Sequence, residues 1–281
     1  MIDVKNLSFS YTRKPFIENI SFEVRPGEIF GFLGPSGAGK STLQKLLTGL
    51  LTDYKGNVIV NGEEAGRHTA GFYENIGVDF EFPSLYEKLT ARENLRFFST
   101  LYKKRGDIDA LLSCVGLMAD ADKKVSDYSK GMKSRLNFIK SLLHDPCILF
   151  LDEPTSGLDP SNARIMKDII LDEKAKGKTI ILTTHNMYDA TELCDRVAFI
   201  VDGKIKALDT PRSLIMRRGA SKIAYTYLDN GIEMKTEIPL HKTSEDEILQ
   251  HLIRDNQLMS IHSSEPTLND IFVELTGRQL Q

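Results

Sequence analysis

Runs of apolar residues alternate with amphipathic stretches along most of the chain. Glu28-Ile29-Phe30-Gly31-Phe32-Leu33 is a short apolar run between Gly27 and Gly34, and Asn57-Val58-Ile59-Val60 is another, closed by the turn pair Asn61-Gly62. Residues 147–151 and 179–182 carry similar runs. Unbroken runs of this length suit strands buried on both faces. Between them Leu43, Leu46, Leu47 and Leu50 recur at spacings of three and four, the stripe of a helix that buries one side. The alternation predicts an α/β core on a largely parallel sheet.

Two stretches break the pattern. Residues 89–143 have helical periodicity and almost no strand signal, and read as a helical subdomain inserted into the core. From about residue 213 the pattern changes again. Ile223-Ala224-Tyr225-Thr226-Tyr227 and Glu233-Met234-Lys235-Thr236-Glu237 flank Asp229-Asn230-Gly231, a hairpin signal. A helix is expected over 246–254, then a last one opened by Thr267-Leu268-Asn269-Asp270, which resembles a capping box. The expected domains are 1–212 and 213–281, the second a small α+β appendage.

Composition narrows the class. The 281 residues carry 36 Lys and Arg against 39 Asp and Glu, a net charge of −3, so there is no basic field for a nucleic-acid backbone and no nucleic-acid partner is expected. Lys103-Lys104-Arg105, Lys123-Lys124 and Arg217-Arg218 read as solvated faces. No apolar run approaches the roughly 18 residues of a membrane span, and the opening MIDVKNLSFS lacks the apolar core of a signal peptide. Cys114, Cys147 and Cys194 are widely spaced, suit a reducing cytosol, and read as packed thiols. Secreted, integral-membrane and disordered classes are excluded on these grounds.

The strongest chemical signal is Gly34-Pro35-Ser36-Gly37-Ala38-Gly39-Lys40-Ser41, which matches G-x-x-x-x-G-K-[ST] between an expected strand and an expected helix. Glycines let the backbone form a nest of N–H groups around phosphate oxygens, and the helix dipole adds positive potential there. Lys40 would reach the β- and γ-phosphates and the Ser41 hydroxyl would ligate Mg2+. Asp152 and Glu153 end the apolar run Ile148-Leu149-Phe150-Leu151. Asp152 would hold Mg2+, and Glu153 would orient and deprotonate a water. His185 ends another apolar run, where parallel sheets place ligand-contacting groups.

In this company the chain resembles the ATP-binding subunits of ABC transporters over about residues 1–215. Tyr128-Ser129-Lys130-Gly131-Met132 looks like the family's signature loop, Ser156-Gly157-Leu158-Asp159 looks like its D-loop, His185 falls where its switch histidine belongs, and Tyr11 is similar to the aromatic that stacks on adenine. The resemblance implies a P-loop (RecA-like) α/β ATPase core with an inserted helical subdomain, binding ATP and Mg2+ through residues 34–41 and Thr42. It also implies a head-to-tail dimer, either a homodimer or a pair with a homologous ATPase. Ser129, Lys130, Gly131 and Met132 of one subunit would close on the nucleotide of the other, and Asp159 would couple the two. The partner would be a separately encoded transmembrane permease, with the motor peripheral on the cytoplasmic face of the cell membrane.

One position departs from the family. Glu81 stands where the loop into the helical subdomain usually carries glutamine, and no Gln occurs between Gln44 and Gln250. An amide donates and accepts, whereas a carboxylate only accepts. The glutamate resembles the variant in lanthipeptide-immunity exporters; it either couples nucleotide state to the permease or is a neutral exchange. The neighbours Phe80, Phe82, Pro83, Leu85 and Tyr86 are either a docking surface for a permease helix or core beneath the helical subdomain, and docking is favoured. The interval between Lys40 and Asp152 has room for one helical insert but not for the long coiled-coil arms of DNA-repair relatives, and a single nucleotide domain sets the chain apart from ribosome-associated ones. The segment after Ser213 is short for a sugar importer, and the ending from Pro266 to Gly277 resembles bacterial drug and peptide exporters. An exporter motor is therefore expected; an importer ATPase or a soluble ATPase acting on ribosome or nucleic acid is the alternative.

Overall fold

The structure is a computed structural model and describes residues 1–69, 71–216, 222–264 and 266–278. The chain divides into two compact units, one from Met1 to Leu208 and one beginning at Asp209.

The first unit opens with strands β1 (Ile2–Phe9) and β2 (Ile17–Val24), paired antiparallel. Strands β4 (Tyr54–Val60) and β5 (Glu63–Glu64) complete a sheet ordered β2-β1-β4-β5. The second sheet holds β3 (Ile29–Leu33), β6 (Ile76–Asp79), β7 (Ile148–Asp152), β8 (Thr179–Thr184), β9 (Arg196–Val201) and β10 (Lys204–Asp209), in the order β10-β9-β3-β8-β7-β6. Strand β3 runs parallel to β8 and β9, and β7 runs parallel to β8 and β6. Every residue of β3, β7 and β8 is buried. Helix α1 (Lys40–Leu47) buries Leu43, Leu46 and Leu47 in one cluster with Phe30, Phe32 and Phe150 and with the inward side chains of the first sheet.

The parallel register has a functional consequence. Leu33 lies opposite Thr184, Asp152 opposite Thr183, and Asp79 opposite Leu151. The carboxyl ends of four strands therefore reach one sheet edge together, where α/β sheets bind their ligands. Helices α2 (Ala91–Ser99), α3 (Ile108–Cys114) and α4 (Lys130–Lys140) fill the interval between β6 and β7. Each begins on a side-chain cap: Thr90 in a reciprocal box with Glu93, Asp107, and Ser129. Helices α5 (Pro160–Ala175) and α6 (Met187–Leu193) follow β7 and β8.

The second unit contains α7 (Pro211–Met216), β11 (Lys222–Asp229), β12 (Ile232–Pro239), α8 (Glu247–Arg254), β13 (Leu258–Ser264) and α9 (Leu268–Thr276). The expected hairpin is present: Asp229 pairs with Ile232 across Asn230 and Gly231, both with positive φ (50° and 80°), the turn that matches strand twist. Asp246 caps α8, which packs Leu249 and Leu252 on Ile223 and Tyr225. Thr267 and Asp270 form the expected capping box of α9.

Several expectations need correction. Helix α1 stops at Leu47, because Gly49 turns the chain at φ 71°, and Leu50 is exposed rather than part of the stripe. Cys114 is exposed; the turn of α3 buries its neighbours Leu112 and Val115 and leaves the thiol outside, while Cys194 is buried and Cys147 half-buried. Lys104 and Lys123 are exposed as expected and pair with Asp145 and Asp120; Arg217 and Arg218 lie outside the described residues.

Candidate active site

Strand β3 runs into the glycine loop at Gly34, and α1 begins at Lys40. Gly37 (φ 76°) and Gly39 (φ 110°) adopt backbone conformations that side-chain-bearing residues avoid. The loop walls a cavity of about 250 Å³ lined by Phe16, Ser36, Gly37, Ala38, Gly39, Lys40, Ser41, Thr42, Glu81, Asp152, Glu153 and His185. Residues far apart in sequence thus meet around one space.

The Lys40 ammonium is buried and donates to the carbonyls of Gly34 (2.7 Å) and Pro35 (3.2 Å). Burial pushes its pKa down, and the charges of Glu153, Asp152 and Glu81 act against that shift. It is a desolvated cation resting on neutral acceptors, with Glu153 Oε1 3.9 Å away, and a phosphate would be a far better partner.

Asp152 ends β7, buried, and accepts a hydrogen bond from the Thr183 hydroxyl of β8. Glu153 turns out of the sheet with φ 53°, its N–H donating to the Thr183 carbonyl at 3.0 Å. A left-handed backbone at a residue with a side chain costs about 1–2 kcal/mol, and here it aims the carboxylate into the cavity. Glu153 Oε1 lies 2.9 Å from His185 Nδ1, and Oε2 accepts the His185 backbone N–H at 3.4 Å. Because a carboxylate only accepts, Nδ1 carries the proton in this arrangement. The imidazole is nearly half exposed and turns its other nitrogen away from the pair.

Two residues at this site were not singled out from the sequence. Gln44, one helical turn beyond Lys40, is fully buried and donates to the Leu151 carbonyl at 3.0 Å, tying α1 to the strand that carries Asp152. Its polar side chain on the buried face of an apolar helix was the available signal. Phe16 lines the cavity, whereas Tyr11 is absent from its lining. The Tyr11 hydroxyl is 3.1 Å from Thr42 Oγ1, and its ring meets Phe16 edge-on at 5.5 Å.

The signature-like residues lie apart from this cavity. Ser129 caps α4 by accepting the Met132 N–H at 3.2 Å, with Lys130 and Gly131 in the first turn. Asp159 caps α5 through the N–H groups of Ser161 and Asn162, both at 3.1 Å. Lys130 lines a smaller cavity of about 80 Å³ together with Glu81, Asp152, Glu153 and Ser156. The aromatic stretch divides: Phe82 and Tyr86 are 79% and 50% exposed, while Phe80 and Leu85 are half-buried.

A phosphate loop, an acidic strand end and a histidine on one edge of a parallel sheet define a nucleotide-hydrolysing site of the P-loop class. Comparison with known proteins agrees. The ABC transporter family pattern matches residues 17–156. The chain is 51% identical to a fluoroquinolones export ATP-binding protein of Mycobacterium tuberculosis, covering 100% of this chain and 94% of that one. It is 32% identical to a linearmycin resistance ATP-binding protein of Bacillus subtilis, covering 100% of both. A solved ATP-binding subunit of an ABC transporter superposes with a TM-score of 0.71 at 30% identity, covering 78% of this chain and 93% of that chain. The chain belongs to the ABC transporter family, as an ATP-binding subunit and ATPase. Among the described residues no helix is long and apolar enough to cross a membrane.

Proposed function

We propose that this chain is the ATP-hydrolysing motor of an exporter, peripheral on the cytoplasmic face of the cell membrane and working on a separately encoded transmembrane permease. The observation that carries the reading is the meeting of Lys40, Ser41, Asp152, Glu153 and His185 around one cavity. Lys40 exchanges its loop carbonyls for the β- and γ-phosphates, while the loop N–H groups and the start of α1 take up the remaining charge. Ser41 and Asp152 offer the hard oxygen donors that suit Mg2+, and they line the same cavity. When bound, the ion neutralises charge on the phosphate oxygens. Glu153 accepts the proton of the attacking water, and His185 orients the Glu153 carboxylate. Tyr11 and Phe16 form the aromatic wall on which adenine stacks.

Ser129, Gly131 and Met132 line neither of the two cavities described, and Lys130 lines only the smaller one, which supports a role in trans, across a dimer with a second copy or a homologous ATPase. Asp159 and Glu81 couple that closure to the permease, which docks on the exposed Phe82 and Tyr86. Export, and cargo of a drug kind, is supported by the name of the fluoroquinolones export relative; a peptide cargo rests on the resemblance in sequence alone. Affinity purification of the tagged chain from native membranes in mild detergent tests this reading. Co-purification of a polytopic protein without nucleotide motifs is expected; recovery of the chain alone, or with ribosomes, would overturn the exporter assignment.

A further inference from the structure

Between β6 and α2 the chain crosses the site as a loop whose exposed centre is Glu81, Phe82 and Pro83. Its two ends are held from α4 by one side chain. Asn137, 2% exposed, donates through Nδ2 to the Asp79 carboxylate at 2.5 Å and to the Phe80 carbonyl at 3.2 Å. Its Oδ1 accepts the Ser84 N–H at 3.3 Å and the Lys140 ammonium at 2.6 Å, and Lys140 also donates to the Ser84 carbonyl at 3.0 Å. The two sides of one amide thus grip the backbone before and after Glu81. Asp79 is itself 4% exposed, so its carboxylate depends on this amide and on the nearby Lys140 charge. Burying such groups is costly unless each is paired. A loop needing only to connect β6 to α2 would do with apolar residues here, and α4 is the helix that opens at Ser129.

We propose that Asp79, Asn137 and Lys140 form a buried clamp that holds Glu81 at the phosphate cavity and makes the 80–84 loop move as one body with α4. On this account Asn137 is a positioning residue for hydrolysis. The inference rests on the ATPase reading above and adds to it how the loop that touches the nucleotide site is tied to the helix presented to the partner subunit.

The test compares full-length Asn137→Leu with native protein. Leucine keeps the branched shape and removes every hydrogen bond of the amide, leaving only Lys140 on the Ser84 carbonyl. Steady-state ATPase is expected to show kcat lower by about tenfold or more, with KM for ATP within about threefold, because the phosphate loop is untouched. The chain has no tryptophan, so Phe82→Trp places a single fluorophore on the loop. In the Asn137→Leu background its time-resolved anisotropy should gain a fast local component. In a Glu81→Ala background, Asn137→Leu should have little further effect on kcat, since the clamp acts through Glu81. Should Asn137→Leu fail to fold, Lys140→Met and Lys140→Arg take its place: arginine keeps both donor contacts and near-native kcat, methionine does not. A kcat within twofold of native, or a fall in kcat with unchanged loop anisotropy, overturns the clamp. If native protein and Glu153→Gln prove equally inactive on ATP, the ATPase reading fails instead; unchanged anisotropy in Asn137→Leu would still overturn the clamp, and anisotropy lowered by a fast local component would support it.

Discussion

Two glycines of the phosphate loop should respond to the same substitution in opposite degree. A Cβ built at Gly34 would lie 2.1 Å from the carbonyl oxygen of Ile200 and 3.2 Å from its carbon. Both atoms are backbone of β9, packed in the parallel sheet, so β3 and β9 would have to separate by about 1 Å; overpacking of that kind costs about 3 kcal/mol or more. At Gly37 a Cβ would meet nothing within 4 Å, and the only obstacle is φ 76°, a left-handed strain of about 1–2 kcal/mol. At about 2–4 °C per kcal/mol for a chain of this size, Gly34→Ala should lower the melting temperature by about 6–12 °C and Gly37→Ala by about 2–8 °C. The nucleotide consequence should follow the same order. The Gly34 carbonyl anchors Lys40 at 2.7 Å, so displacing it misplaces the ammonium, whereas Gly37→Ala leaves that anchor intact. Differential scanning calorimetry and titration with ATP in Mg2+ buffer measure both effects. Equal melting temperatures for the two variants would refute the packing argument.

Further expectations follow from the charges. Lys40→Met removes a cation worth about 3 kcal/mol of charge-assisted hydrogen bonding to phosphate, so ATP affinity should fall about a hundredfold in calorimetric titration. Glu81→Gln removes a negative charge beside the γ-phosphate position and should tighten ATP binding a few-fold, more at low salt than at high. Lys104 and Lys178 hold the Asp145 carboxylate down to about 2. Its folded pKa is thus below its unfolded value, so the stabilisation is complete above about pH 4 and disappears as the pH falls towards 2. Asp145 is half exposed, which limits the pair to about 1 kcal/mol. Asp145→Asn should therefore melt about 2–4 °C lower at pH 7, with the gap closing between pH 4 and 2.

The α/β core was legible in the sequence because its central strands are buried on both faces and read as apolar runs. The phosphate loop was legible because its geometry requires glycines at fixed places. Of the first sheet, β4 was legible as the run 57–60, but β1 and β2 were not. Asn6 and Asn19 take positive φ, and register shifts interrupt the pairing of β1 with β2, so the alternation that marks a half-buried strand is broken there. Strand β6 was not singled out because Ile76-Gly77-Val78-Asp79 is short and ends on a carboxylate; parallel pairing with β7 makes it a strand. Local motif reading finds groups bound to nearby backbone, such as Lys40. It misses groups defined by a distant partner, such as Gln44 on Leu151 or Asn137 on Asp79, because nothing in the local pattern names the partner.

The proposed role of Glu153, aimed into the cavity by its left-handed backbone and held by His185, is to take the proton from the water that attacks ATP. Phosphate release by native protein and by Glu153→Gln, measured with ATP and Mg2+ alongside ATP affinity and the molecular mass in solution, tests it most directly. Glu153→Gln is expected to keep its affinity for ATP, to lose about a hundredfold or more in turnover, and to accumulate as an ATP-bound dimer. Turnover at the native rate would contradict it.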